Sequence, residues 1–322
     1  MQYWQENLTA DPTPWLMEPG NPAIRFLALR DLFECPALDI EIQEAQKAIP
    51  EHPPLAALLS SQHPNGYWVK PDFYLPRASL GTFWVLTVLG DMGLNRENDH
   101  IQRACDFMFT QQRENGAFCR RRRIPKQGIL WDEDTPPCTQ ARIVRFLIQF
   151  GYGDDPRVKR AFAWLVGRQR EDGMWHCRGE EGRGCLRATI DVLRAAALIP
   201  GMDSHAGIRR GAEAVVQLIM ETRMSRYHVG EKWGTWESLK YPYFGFSLLS
   251  ALDALGRLGW SAAEPRIRMG LDYLLSRQLP DGSWPLDEAW PEPPLDFGEP
   301  GKPNKWITLD VLRVLKRYLP YP

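Results

Sequence analysis

The sequence predicts an all-α fold, an (α/α)6 toroid with an inner ring of six helices inside an outer ring of five or six. Three observations predict it. Four segments share one pattern of Gln, two spacers, Asn or Asp, Gly, one spacer and an aromatic: Gln62 to Trp68, Gln112 to Phe118, Gln169 to Trp175 and Gln278 to Trp284. Their starts lie 50, 57 and 109 residues apart, so the last gap spans two periods and the chain is a repeat. Before the copies come amphipathic runs, such as Val158, Ala161, Phe162, Trp164 and Leu165, or Ile267, Leu271, Leu274 and Leu275. After them comes a loop rich in Pro, Gly and charge, then a second helical run that is far more apolar. A helix apolar around most of its circumference must be buried on most of it, whereas a one-striped helix can face water. The apolar runs therefore form the inner ring.

The second runs start near Ala23, Ser79, Cys138, Cys185, Tyr243 and Trp306. Glycine or proline closes many of them: Gly90 and Gly93, Gly151 and Gly153, Pro200, Gly259, Pro320. Pro156 and Pro265 open the next outer helices, where a missing amide donor costs nothing. The Asn-Gly and Asp-Gly pairs make the turn after each outer helix. The skipped fifth copy falls near residues 220 to 236, which keep a glycine and tryptophans but lose the Gln-x-x-Asp-Gly core. Strand signals are scarce.

A chain of 322 residues with 44% hydrophobic and 25% charged content can bury a large core, and the repeat argues for one domain over residues 1–322. A formal charge of −1 gives no case for nucleic acid or an anionic membrane as main partner. No apolar stretch has the length of a membrane span, and Met1 to Gly20 is too polar for a signal peptide, so a cytoplasmic location is expected. Six cysteines are then expected as thiols or metal ligands rather than disulfides.

Over residues 20 to 320 the repeat resembles the Gln-Trp motifs of the α/α-toroid superfamily, the squalene–hopene-type terpene cyclases and the β subunits of protein prenyltransferases. The closest resemblance is to an uncharacterised bacterial branch with an ending similar to Gly301 to Leu309. It implies an isoprenoid or prenyl diphosphate ligand in a central apolar cavity. It also implies a scaffold role for Gln62, Gln112, Gln169, Gln278, Trp68, Trp175 and Trp284: the glutamine ties helix ends while the aromatic packs on the next repeat.

In such a ring the inner-helix N-termini surround one mouth, where free amides and dipoles favour anions. Cys119 follows the second motif directly and Cys177 follows the third by two residues, and Cys138 and Cys185 open the next two inner helices. Adjacent repeats thus deliver equivalent thiols to one rim, with His176 beside Cys177. Thiolates and imidazole suit tetrahedral zinc. The spacings match no compact zinc finger, and buried filler or a redox role are the alternatives. The prenyltransferase resemblance adds that zinc in that family sits at inner-helix N-termini on ligands from adjacent repeats, near Cys138 and Cys185, though with different ligand types.

Trp131 to Thr135 resembles the acidic D-x-D-D-T motif of the cyclases imperfectly, with Glu133 in the acid's place and Asp134 beside it; a solvated acidic loop is the alternative. A second polar set recurs at one level of the inner helices: Arg30, Thr87, Arg145, Asp191, Asp253 and Asp310. These either pair across the ring or line the cavity, since isolated buried charge is too costly. Asp191, Asp253 or Asp310 is a candidate general acid. Trp84, Phe146, Tyr243, Phe244 and Trp306 are candidate contacts for an isoprenoid or a carbocation, against plain core packing. Arg120 and Arg121 open a run of four arginines that could clamp a diphosphate or simply form a solvated loop. The rival functions are a zinc-stabilised scaffold or ligand-binding protein, and a toroidal glycosidase using two carboxylates.

Overall fold

The computed structural model describes residues 3–73, 80–119, 121–124, 128–131, 136–177, 184–219, 236–242, 246–290 and 292–319. After a 3-10 turn at Tyr3–Asn7 come α1 (Thr13–Leu16), α2 (Pro22–Asp31), α3 (Ile40–Ala48), α4 (Pro53–Ser60), α5 (Thr82–Asp91) and α6 (Asp99–Phe109). Then follow α7 (Pro137–Leu147), α8 (Pro156–Val166), α9 (Leu186–Ala196), α10 (Ala206–Leu218), α11 (Leu248–Arg257), α12 (Pro265–Ser276) and α13 (Lys305–Tyr318). Strands are short: β1 (Arg121–Ile124) pairs antiparallel with β2 (Gly128–Trp131), and β3 (Lys240–Tyr241) pairs parallel with β4 (Glu288–Ala289).

The inner ring is α2, α5, α7, α9, α11 and α13. Contacts run from α5 to α7, α9, α11, α13 and back to α2, and Gly93 packs against Phe26 to close the last gap. Nearly every residue of α5 and α9 is buried, as an apolar circumference requires. Outer helices keep their charged face to water: α8 buries only Val158, Ala161, Phe162 and Leu165. Asp155 and Glu264 cap α8 and α12, each just ahead of the proline that opens the helix. Gly93, Gly151 and Gly259 adopt the left-handed conformation that ends an inner helix; after α9 that place is taken by Gly201 rather than Pro200. One start differs from expectation. α11 begins at Leu248, five residues beyond Tyr243, because Ser247 and Ser250 form a reciprocal capping box there.

The repeat motif is a two-way clamp. Each Gln Nε2 donates to the carbonyl of its own motif glycine and to a carbonyl of the next outer element: Gln62 to Gly66 and His100, Gln112 to Gly116 and Arg157, Gln169 to Gly173 and Gly207. His100, Arg157 and Gly207 all lie in the first turn of an outer helix. The motif glycine must have no side chain, since its φ is positive and a Cβ on Gly116 would stand 2.5 Å from Arg160 O. The tryptophan indoles of Trp68, Trp175 and Trp284 donate to Leu58, Leu165 and Leu274 O, the last turn of the preceding helix. Their backbone amides donate to Thr82, Thr189 and Thr308 Oγ1 on the next inner helix, and Gln140 Oε1 takes that place for Phe118.

At the fourth motif the N-terminal segment stands where the next outer helix stands in the other repeats: Gln278 Nε2 donates to Ala10 O as well as to Gly282 O, and Gln278 Oε1 accepts from the Thr9 amide. Among the described residues the outer layer holds α3, α4, α6, α8, α10 and α12, with α3 and α4 in one repeat, and Gln278 joins the N-terminal segment to the last motif. No described helix is long and apolar enough to cross a membrane.

Candidate functional site

The outer-to-inner loops all emerge at one mouth, at the N-termini of the inner helices. Three predicted thiols meet there. Cys138 lies in the first turn of α7, Cys185 is the N-cap of α9, and Cys177 follows Trp175 on the loop between them. Cys177 Sγ stands 3.6 Å from Cys138 Sγ and also bonds to the Cys185 thiol. The hydrogen bond from Cys177 pulls the Cys138 thiol down to about 6 and lowers Cys185, while sharing its proton with both raises Cys177. Cys119 is buried, its amide bonded to Gln111 O. His176 Nε2 contacts Asp172 Oδ2 at 3.0 Å, and its Nδ1 is buried without a hydrogen-bond partner. The thiols form a chain of contacts centred on Cys177; among the described residues no group of three or more His, Cys, Asp or Glu is arranged to hold a metal ion.

Aromatic side chains crowd the same mouth. Trp84, in the first turn of α5, packs edge-on to Phe83 at 4.8 Å and lies 5.7 Å from Trp290. Trp306, in the first turn of α13, stacks on Tyr241 at 4.9 Å and meets Phe297 edge-on. Trp290 and Phe297 belong to the loop between the fourth motif and α13, which reaches over the ring to α5. That loop is held by Asp287, which accepts from Arg277 and from the Leu239 amide. Trp290 belongs to no repeated position, so the repeat does not reveal it. Phe146 lies lower, packed between Phe83 and Phe150 in the core. Tyr243 and Phe244, Glu133 and Asp134, and Arg120 lie outside the described residues. The backbone of Arg121, expected in a loop, pairs with Trp131 in the β1–β2 hairpin.

Of the polar set predicted on the inner helices, Arg145, Asp191 and Asp253 pair across the ring, Arg30 pairs with Asp31 beside it, Asp310 pairs with Arg313 on its own helix, and Thr87 bonds to Phe83 O. Ion pairs cross four of the six helix boundaries: Arg145 to Asp91, Arg142 to Asp191, Arg313 to Asp31 and Arg317 to Asp253. Asp191 and Arg142 form an ion pair at 2.9 Å with both side chains almost wholly buried. Burial opposes ionisation of Asp253, but Arg257 and Arg317 outweigh it and hold the carboxyl well below the usual range. Asp310 differs. Burial raises its carboxyl above the ordinary value, outweighing Arg313 at 2.7 Å.

These groups line a cavity of ≈430 Å³ to which all six inner helices contribute. Its wall carries five guanidiniums and four carboxylates, with the Tyr241–Trp306 stack on one side. The central cavity expected to be apolar is thus charged here. The reason is geometric: α2, α11 and α13 each bring two charged side chains and α5, α7 and α9 one each, and closing the ring collects them in one place.

Residues 41–189 match the family model of the squalene-hopene cyclase C-terminal domain. No match was found among curated proteins. Among solved structures the chain is similar to a protein from Actinoplanes, at 17% identity over 92% of this chain and 89% of that one, with a TM-score of 0.44. It is also similar to a type II terpene cyclase from Scytonema, solved with its product merosterolic acid A, at 16% identity over 82% and 94% of the two chains and a TM-score of 0.33. The same cyclase with the substrate geranylgeranyl dihydroxybenzoate gives 16% identity, 82% and 95% coverage and a TM-score of 0.32. The match over residues 41–189 to the squalene-hopene cyclase C-terminal domain agrees with the α/α-toroid terpene cyclase superfamily that the Gln-Trp repeat resembles.

Proposed function

We propose that this chain is an isoprenoid-handling protein of the terpene cyclase or prenyltransferase type, taking a prenyl chain in through the inner-helix N-terminal mouth. The observation that carries the reading is the aromatic set there, Trp84, Trp290, Tyr241 and Trp306, within a ring whose residues 41–189 match the cyclase family. Flat π faces suit both an alkene chain and a developing carbocation. Labelled geranylgeranyl diphosphate and its alcohol, incubated with the full chain, should bind saturably and yield a cyclised or transferred product. Failure of both ligands to bind would overturn the reading.

The proposal extends to zinc on Cys138, Cys177 and Cys185, with His176 Nδ1 as the fourth donor. The donor types fit. The 3.6 Å sulfur spacing is close to the edge, about 3.8 Å, of a tetrahedron of ligands ~2.3 Å from a common ion. A histidine whose other nitrogen is held by a carboxylate, as Asp172 holds His176, is the usual supporting arrangement for a zinc-bound imidazole. Bound zinc would fix the α7–α9 rim and, with three ligands engaged, supply a Lewis acid. Metal analysis of tag-free protein should find zinc in near-stoichiometric amount, lost in Cys177→Ser. Metal-free protein with freely titratable thiols would remove this part alone.

A further inference from the structure

Cys138 and Cys185 are 6% and 3% exposed and sit at the starts of α7 and α9, whereas Cys177 lies half-buried on the loop between those helices, in contact with both thiols. Core filling accounts for the first two, since a small apolar side chain suits a crowded helix start. It does not account for a third sulfur, partly open to solvent, brought up to them from the loop. The contact is held from both sides. Two residues before Cys177, Trp175 is clamped by its indole to Leu165 O, by its amide to Thr189 Oγ1 and by its carbonyl to the Cys185 amide. Cys138 lies one turn before Arg142, whose ion pair with Asp191 joins α7 to α9.

We infer that Cys138 and Cys177 are a reversible oxidation site, converted by a hydroperoxide to a disulfide that staples the α7–α9 rim. A solvent-accessible cysteine with a second thiol in reach is the arrangement that stops oxidation at a disulfide rather than at the higher sulfur acids. Cys177, the open sulfur, attacks the terminal peroxide oxygen; the O–O bond breaks, the alcohol or water leaves with the thiol's proton, and Cys177 becomes a sulfenic acid. The Cys138 sulfur then displaces that oxygen: the S–S bond forms, the S–O bond breaks, and the hydroxide departs as water with the Cys138 proton. Two electrons pass from the two thiols to one peroxide, and a dithiol reductant returns them. The sulfurs have only to close from 3.6 Å to the ~2.05 Å of a disulfide. Cys177 is a loop residue, so its approach costs neither helix a hydrogen bond. These sulfurs are also the ones proposed for zinc, and a disulfide and a bound ion exclude each other. The inference rests on neither the metal nor the isoprenoid reading, because the dithiol is present without either.

The test is peroxide treatment of the full chain, reduced beforehand, both as purified and after chelation, followed by alkylation and mass-spectrometric peptide mapping. Chelated protein should lose two of its six titratable thiols, recovered as one Cys138–Cys177 cross-linked peptide that dithiothreitol reverses. Cys185→Ser should keep the link, and Cys177→Ser should lose it with Cys138 left reduced. Cys35, half-buried like Cys177 but beyond the C-terminal end of α2, is the internal control and should enter no cross-link. Zinc present in the purified protein should be released as the link forms; a link formed in protein that never held zinc removes the zinc reading alone. Should a variant fail to fold, the wild-type map decides. The inference falls if all six thiols of chelated protein survive peroxide that oxidises free cysteine, if Cys177 links to Cys185 instead, or if Cys177 goes on to a sulfinic acid while Cys138 stays reduced.

Discussion

Gln278→Ala should open the ring at one seam. The side chain makes three hydrogen bonds, Nε2 to Ala10 O at 2.9 Å, Nε2 to Gly282 O at 2.9 Å, and Oε1 from the Thr9 amide at 2.7 Å. Two of them join the N-terminal segment to the last motif. At about 1 kcal/mol net per bond, less where water replaces an exposed partner such as Thr9, the loss is about 2 kcal/mol. The distinctive consequence is local. Gln62, Gln112 and Gln169 join outer helices that follow one another along the chain, whereas Gln278 joins segments about 270 residues apart in sequence. Urea unfolding should give the global loss, and hydrogen exchange should show residues 3–17 losing protection while α7 and α9 keep theirs. Gln169→Ala, which cuts bonds to Gly173 and Gly207, is the control: a similar global loss with protection of residues 3–17 unchanged. If Gln278→Ala leaves protection of residues 3–17 as in the wild type, the seam is held by something else and the closure argument is wrong.

Thr189→Val should cost about 1–3 kcal/mol by leaving the buried Trp175 amide without its acceptor, and Thr189→Ser should recover most of it in the same urea assay. Asp191→Ala should cost about 3–5 kcal/mol, because Arg142 keeps its charge in a site where both side chains are at most 3% exposed; Asp191→Ala with Arg142→Met should be milder than Asp191→Ala alone. Asp310 has a raised folded pKa, so its folded form binds the proton more tightly than the unfolded chain, and its contribution to stability declines as pH rises from the ordinary carboxylate range through that folded pKa. Asp310→Asn should therefore be more stable than the wild type at pH 7 and lose that advantage below the ordinary carboxylate range, as urea midpoints across pH would record. Asp253, whose folded pKa is depressed, contributes in the opposite sense: its stabilisation is present at neutral pH and disappears as acid protonates it, so Asp253→Asn should be less stable at pH 7 and converge on the wild type in acid.

The sequence by itself determined the double ring, because periodicity is local physics: an apolar circumference must be buried, a striped helix must face water, and a turn glycine needs positive φ wherever it recurs. It also placed Cys138, Cys177 and Cys185 on one rim, since equivalent positions in adjacent repeats become neighbours in any closed stack. Only the tertiary structure decided which atoms those residues meet. Gln278 reaches Ala10 because the circle closes there, and Thr82, Gln140, Thr189 and Thr308 serve the motif amides because the next inner helix passes beneath them. Trp290 meets Trp84 from a loop outside the repeat. Asp191, Asp253 and Asp310 look alike along the chain, yet one is locked to Arg142, one is held ionised and one is pushed toward its neutral form. Those three fates depend on which guanidiniums stand within a few ångströms and on how much water is excluded, quantities that no spacing encodes.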